Sequence, residues 1–362
     1  AGLNINSEDI DVDLARRQKG YGRGQRMKIE TDQVTILSGV RFARTLGSPI
    51  TLYINNRDWQ NWKALMSPTG VDFDGKHLHK PRPGHADLAG LMKYGVHDFR
   101  DILERASARE TAARVAVGAV CRELLKEFGI NIYSYVEEIG EVSAKIPSIP
   151  NNELQHKAEM SFVRCPDPVA TKRMIQTIKK ASSQGDTLGG KFRVIVENLP
   201  VGLGSHTQWD TKLDGRIAQS LISIQAIKAV EFGLGTKFAQ VSGSDAHDEI
   251  YYSAKRGFYR NTNRAGGTEG GISNGENIEV SCTMKPIPSL SKPLKSVNVH
   301  TKKIEKAEAI RSDVCAVPAA GIVAEAAVAF EIAKAMKEKF GGDCMDDMKS
   351  SYKSYISRIQ VL

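Results

Sequence analysis

The chain predicts a mixture of helices and strands that is not a dinucleotide-binding alternation, on three observations. Two long stretches, from Ser107 and from Leu213, carry apolar residues at helical spacing. Short β-branched runs lie before and after each of them. No Gly-x-Gly-x-x-Gly opens a helix after a strand, so a dinucleotide-binding alternation is disfavoured. At 362 residues, 41% of them hydrophobic, the chain suffices for one large domain or two small ones, with a sizeable core.

Taken in order, Ser7 with Glu8, Asp9 and Asp11 predicts a capped, acidic helix start that stops near Gly20. Residues 16–26, RRQKGYGRGQR, place three glycines among cations. They predict a mobile loop whose guanidinium forks could close on phosphate or carboxylate, or else a solvated or nucleic-acid-binding arm. Val34 to Val40 and Ile50 to Ile54 alternate like strands, with a turn from Leu46 to Pro49 between them. The helix from Ser107 should bury Ala113, Val117, Val120, Leu124 and Phe128, and its small residues predict close approach to another helix. Ile130 to Glu138 reads as a strand and 147–152 as a loop. Pro166, Asp167 and Pro168 cap a helix ending near Ser182, with Gly185 beyond it. Phe192 to Val196 is a strand, and 198–208 a loop in which His206 reads as an ordinary loop histidine. Leu213 to Phe232 reads as one long helix, with Gln225 and Ala226 inside it; a buried Gln225 needs a partner. Gly266 to Gly275 is too rich in glycine for a helix or sheet interior.

Charge narrows the function. Fifty Lys and Arg against 42 Asp and Glu give a net +8, which suits nucleic acid, an anionic surface or small phosphorylated ligands. The cations are scattered among acids and aromatics are only 7%, without a stacking motif, so small anions fit best. Five cysteines, far apart and without Cys-x-x-Cys, point to a reduced, cytoplasmic protein with no metal site. The most apolar stretch, Val314 to Ala335, is interrupted by Pro318, Glu325, Glu331 and Lys334, so no membrane span is expected.

Chemistry concentrates between Arg82 and Arg114. Pro83 and Gly84 make a backbone that presents His85 from a tight bend. Ser107 with Glu110 fits a capping box, and Arg105 and Arg109 would flank the helix start as an anion site. Taken singly, each has an ordinary structural reading: a turn histidine, and arginines paired with Asp101, Glu104 and Glu110.

As a run the stretch is more specific. RPGHADLAGLMKYG followed by ERASARETAARVAVGA resembles the central signature of the chorismate synthase family. DLARRQKGYGRGQRMKIETDQVTILSGVRFARTLGSPITLYINNRDW, SIQAIKAVEFG, TNRAGGTEGGISNG with MKPIPSL, and RSDVCAVPAAGIVAEAAVAFEIA resemble the same family in the same order. The likeness extends from Ala1 to about Ala335. It lacks one part: family members begin with a short strand and Gly-Glu-Ser-His-Gly, ahead of the Pro-Ala-Gly that Ala1 and Gly2 match. The text begins Ala-Gly-Leu-Asn, so truncation is expected, and with it slower turnover than a chain carrying that histidine.

The resemblance implies a single α+β domain over 1–362 with a helical layer between antiparallel sheets, assembled as a homotetramer. It implies anti 1,4-elimination of phosphate from 5-enolpyruvylshikimate 3-phosphate, giving chorismate, with reduced FMN required and no net redox change. It makes His85 and Asp313 catalytic. It assigns Arg17, Arg23, Arg26, Arg82 and Arg109 to substrate or NADP, with NADPH a possible reductant. FMN falls to Arg105, Ala106, Ser107, Gln225, Ala226, Gly270, Lys285, Pro286, Ile287, Pro288, Ser289 and Arg311. The rival classes are a flavin oxidoreductase with net hydride transfer and a basic RNA-binding protein.

Overall fold

In a computed structural model that describes residues 1–24, 31–70, 77–309 and 312–361, the chain opens with helix α1 (Ser7–Gln18). Its cap position is Asn6, without a side-chain capping bond, and Ser7 is already helical. Strands β1 (Val34–Ser38) and β4 (Thr51–Ile54) pair antiparallel, Val34 opposite Ile54. Between them β2 (Val40–Arg41) and β3 (Arg44–Thr45) form a hairpin. The chain therefore reverses at Phe42 and Ala43, both at positive φ, ahead of the expected turn at Leu46 to Pro49.

Helices α2 (Asp87–Tyr94) and α3 (Arg100–Ala106) lead to α4 (Thr111–Lys126), and β5 (Asn131–Ile139) with β6 (Val142–Ser143) follows. Next come α5 (Asn151–Met160), α6 (Pro168–Ser183) and β7 (Gly190–Glu197). The Asp167 carboxylate accepts from the Val169 and Ala170 amides, the cap its sequence predicts. Helix α7 (Leu213–Ile222) and strand β8 (Ile227–Phe232) divide what periodicity reads as one long helix. Hairpins β9 (Ile250–Ser253) with β10 (Gly257–Arg260) and β11 (Thr268–Glu269) with β12 (Ile272–Ser273) precede β13 (Ile278–Met284). The glycine-rich loop is thus partly a hairpin. A further hairpin, β14 (Lys295–Val297) with β15 (Ile304–Lys306), leads to α8 (Val317–Phe340) and α9 (Met345–Ile359).

The main sheet is antiparallel, in the order β6-β5-β7-β13-β8. Alternation sends Ile132, Val136, Phe192, Val194, Val196 and Val280 into the principal core. Tyr133, Tyr135 and Ile195 go to the other face, under Leu154 and Ala158 of α5. On the core side α8 packs on β5 and β7, with α1, α4 and α7 around it, and α1 and α4 touch the β1–β4 pair beyond. The helices thus lie between the larger sheet and the smaller one. Pro318 starts α8 and does not break it, as suits a proline in a first turn. Among the described residues no helix is long and apolar enough to cross a membrane.

The buried stripe of α4 is Ala112, Val115, Ala116 and Ala119, while Ala113 and Val117 are exposed. This is one residue off the periodic reading, because α4 is apolar on most sides and the tightest neighbour chooses the face. That neighbour is α8: a Cβ placed on Gly118 would lie 2.3 Å from the Ala326 Cβ and 2.5 Å from its Cα. Gly118→Val is therefore expected to destabilise the chain by roughly 1–3 kcal/mol through overpacking. Urea unfolding that leaves the midpoint unchanged would refute that close contact.

Candidate active site

The RPGH segment is a turn: the His85 amide donates to the Arg82 carbonyl at 3.1 Å, with Pro83 second and Gly84 third at φ 81°. Proline pre-sets its own φ and glycine alone accepts the left-handed position cheaply. Arg82, nearly fully buried, donates from its backbone N and Nε to Asp87 Oδ2 at 3.0 and 2.9 Å. Its Nη2 reaches Asp87 Oδ1 at 3.0 Å and its Nη1 the Ser289 hydroxyl at 2.6 Å. His85 Nδ1 stands 2.5 Å from Asp87 Oδ1. Burial alone would raise the Asp87 carboxyl, but hydrogen bonds from His85 and Arg82 hold it well below the usual carboxylate range.

Segment 285–289 closes over this turn. Lys285 Nζ donates to the Gly84 carbonyl at 2.5 Å, and the Lys285 amide to the Ala226 carbonyl at 2.9 Å. Pro286 is exposed, Pro288 lies against Gly84, and Ile287 packs on the core while its carbonyl accepts from Thr187. The Ser312 hydroxyl donates to the Ser289 carbonyl at 2.6 Å, which brings Asp313 alongside. Asp313 pairs with Arg23 at 2.9 Å and accepts from the Gly24 amide at 2.6 Å.

The basic stretch is not the free loop its glycines suggest. Arg16 and Arg17 are the last turn of α1, and Gly22 is tied through its carbonyl to the Val314 amide at 2.8 Å. Arg16 points away, into a buried cluster with Glu325. Arg17 is buried and donates to Thr111 Oγ1, Asp32 Oδ2 and the Ala108 carbonyl at 2.9, 3.0 and 3.2 Å. Burial lowers its pKa to about 10, with Arg23 and Arg109 adding repulsion and Asp32 opposing it. The buried Asp32 carboxylate also takes Arg109, whose second fork arm reaches the Asn55 carbonyl at 3.0 Å. Three arginines, Arg17, Arg23 and Arg109, thus crowd two carboxylates, Asp32 and Asp313.

Ser107 caps as expected, accepting from the Arg109 amide at 3.2 Å, but a 3-10 turn (Ala108–Glu110) precedes α4 and no capping box closes. Glu110 is drawn elsewhere: it accepts from Arg114 Nε at 2.7 Å and from Gln225 Nε2 at 3.0 Å. Arg105 and Ala106 end α3, with Arg105 exposed. Gln225 and Ala226 lie in the turn between α7 and β8, Ala226 at φ 67°, and not within a helix. Tertiary pairing of β8 with β13 overrides the apolar period there. Gln225 Oε1 is buried without a hydrogen-bond partner among the described residues.

Gly270 is not drawn into this cluster. It lies in the β11–β12 hairpin beside His206, whose neighbour Gly271 accepts from the first amide of α7, about 15 Å of helix from Gln225. Arg26 and Arg311 lie outside the described residues. Sequence reasoning missed Asp32 and Asp87. Asp87 had a faint signal, two residues after His85; Asp32 had none, since its partners are 15 and 77 residues away.

A histidine backed by a carboxylate, beside a converging set of cations, is the kind of constellation that an enzyme acting on a small anion carries. The comparisons say which. A family model described as chorismate synthase matches residues 1–337. The chorismate synthase of Endomicrobium trichonymphae is 67% identical over 362 residues, which span all of this chain and 94% of that protein. That of Alkaliphilus metalliredigens is 53% identical over 357 residues, 99% of this chain and 94% of that one. A crystal structure of chorismate synthase matches with a TM-score of 0.81 at 42% identity, covering all of this chain and 92% of that one. The chain belongs to the chorismate synthase family, and so to the carbon–oxygen lyases.

Proposed function

We propose that this cluster carries out the anti 1,4-elimination of phosphate from 5-enolpyruvylshikimate 3-phosphate, giving chorismate. The observation that carries the reading is one continuous set of contacts: His85 and Arg82 to Asp87, Arg82 to Ser289, Lys285 to the Gly84 carbonyl of the same turn, Ser289 to Ser312 beside Asp313, and Asp313 to Arg23. Residues far apart in the chain converge on the chemistry the family performs.

Arg23 and Arg109 hold the substrate's phosphate and carboxylates, and Arg17, buried with its donors engaged, adds charge behind them, only partly offset by Asp32 and Asp313; such preorganised cations act most strongly where water is excluded. Arg82, with its donors engaged internally, contributes charge and fixes the turn. Arg26 belongs to the same set by resemblance. Reduced FMN, when bound, supplies electron density that weakens the breaking C–O bond without net redox change. Arg105, Ala106, Ser107, Gln225, Ala226, Lys285 to Ser289 and, by resemblance, Arg311 would hold it, whereas Gly270, beside His206 in the β11–β12 hairpin, stands apart from them. The buried Gln225 Oε1 supports the fit, because an unpaired acceptor there suits an N–H edge of a flavin ring. His85 holds or delivers a proton at Nε2, the ring nitrogen without a partner among the described residues. Asp313 steadies Arg23 and can relay a proton.

The reading extends to one domain over 1–362, supported by a core running from Ile10 to Met348, and to a cytoplasmic homotetramer with NADPH as a reductant. Anaerobic turnover with chemically reduced FMN tests it: phosphate should be released catalytically in the flavin. Stoichiometric consumption of reduced flavin would favour net hydride transfer instead, and failure to bind flavin would favour a nucleic-acid role. Arg23→Ala should weaken substrate roughly 10- to 100-fold, the scale of one charge-assisted contact, with FMN affinity held within a few-fold. Collapse of FMN binding alone in that variant would move Arg23 to the cofactor.

A further inference from the structure

We propose that Asp87 is a positioning residue for this reaction: it fixes the Nδ1–H tautomer of His85 and so leaves Nε2 to gain and release the proton. The inference rests on His85 being the proton-transfer group.

Two groups compete for the same ring nitrogen. Asp87 Oδ1 stands 2.5 Å from His85 Nδ1, and Arg82 Nη2 stands 2.9 Å from it. A guanidinium can only donate and a carboxylate can only accept, so Nδ1 serves one of them. If Nδ1 carried a lone pair, it would face an anionic oxygen at 2.5 Å. If it carries the proton, that contact becomes a charge-assisted hydrogen bond, and Arg82 Nη2 keeps its own acceptor in Asp87 Oδ1 at 3.0 Å. The second arrangement satisfies every group. Asp87 cannot turn away, because its Oδ2 takes both the backbone N and Nε of Arg82, and the residue is almost wholly buried.

The consequence is directional. In the imidazolium form the Nε2–H bond breaks, the proton passes to an anionic acceptor on the bound ligand, and the electron pair stays on Nε2. The neutral ring keeps its Nδ1 proton against Asp87, and a solvent proton restores Nε2. An amide in place of the carboxylate would reverse this. In Asp87→Asn the carbonyl oxygen is claimed by the two Arg82 donors at the Oδ2 position, which turns the NH₂ towards Nδ1. The ring then takes the Nε2–H tautomer and loses its free lone pair on the working side.

Nitrogen NMR of protein labelled with ¹⁵N-histidine reads the tautomer directly, the His85 signals being those missing from His85→Ala among the eight histidines. The neutral parent should show Nδ1–H and Asp87→Asn should show Nε2–H. The variant's kcat should fall about 10²-fold or more, the scale of lost acid–base assistance, with KM for the substrate changed only a few-fold. A parent with Nε2–H overturns the proposal outright, without need of a folded variant. A swapped tautomer with unchanged kcat overturns it too. Unchanged turnover in His85→Ala would instead remove the reading on which it rests, whereas a slow His85→Ala beside an Asp87→Asn that keeps Nδ1–H defeats only the role of Asp87.

Discussion

Glu325→Ala should destabilise the folded chain by roughly 3–5 kcal/mol, the scale of breaking a buried ion pair by removing one partner. Glu325 is completely buried in the otherwise apolar first half of α8, residues 317–330. Its two oxygens meet Arg122 at 2.7 Å, Arg16 at 2.9 and 3.1 Å, Arg164 at 3.1 Å and the Ser134 hydroxyl at 2.7 Å. Truncation would leave those guanidinium groups with Asp13 and Glu159 as carboxylate partners, beside the neutral carbonyls of Ile132 and Ser134. The pH dependence has a definite sign. Burial opposes the Glu325 charge, but the three arginines outweigh it and hold the pKa near 2, below the ordinary 4.5. A carboxylate depressed in the folded state contributes stability that is present above about pH 4.5 and is lost as pH falls towards 2. Asp87, depressed as well, acts in the same direction. Urea unfolding followed between pH 7 and 3 should show the parent weakening steeply on the acid side and Glu325→Ala weakening less steeply. Equal midpoints for the two proteins at pH 7 would mean that the arginines are adequately served by their other partners. The network also ties down the last turn of α1, in which Arg16 adjoins Arg17.

How much of this was legible depended on whether the deciding contact was local. Strands β5 and β7 show in their β-branched runs, and the Asp167 cap shows because a cap is read within three residues. Helix α5 was invisible because only Leu154 and Ala158 are buried, too few for a stripe. The split of α7 from β8 was invisible for the opposite reason. Apolar residues run through Ile224 and Ile227 without a break, and only pairing with β13 ends the helix. At the site, His85, Lys285 and Gln225 stand in short motifs and could be named from resemblance. Asp313, which pairs with Arg23, could be named in the same way, but Asp32 and Asp87, which hold Arg17, Arg109 and Arg82, could not. Asp32 is an acid just ahead of β1, and what makes it matter is Arg17 and Arg109 arriving from different elements.

His85→Ala is expected to retain FMN while losing about 10²- to 10⁴-fold in turnover, the usual range for a positioned acid–base group. The structure argues that the two effects separate. Arg82 holds Asp87 through its backbone N, Nε and Nη2, and Ser289 through Nη1, none of which needs the imidazole. The turn is further secured by Lys285 on the Gly84 carbonyl. The ring itself is partly exposed, so its removal opens no sealed cavity in the core. Segment 285–289 and the Gln225 turn, where the flavin would lie, keep their anchors to Ala226 and Glu110. What is lost is a proton at Nε2, which neither Asp87, held as an anion, nor Arg82, which stays charged, can replace. Flavin titration of the variant by fluorescence, set beside anaerobic phosphate release with chemically reduced FMN, separates binding from chemistry. Parental turnover would take His85 out of the mechanism; flavin affinity lost in step with turnover would make it a cofactor anchor and nothing more.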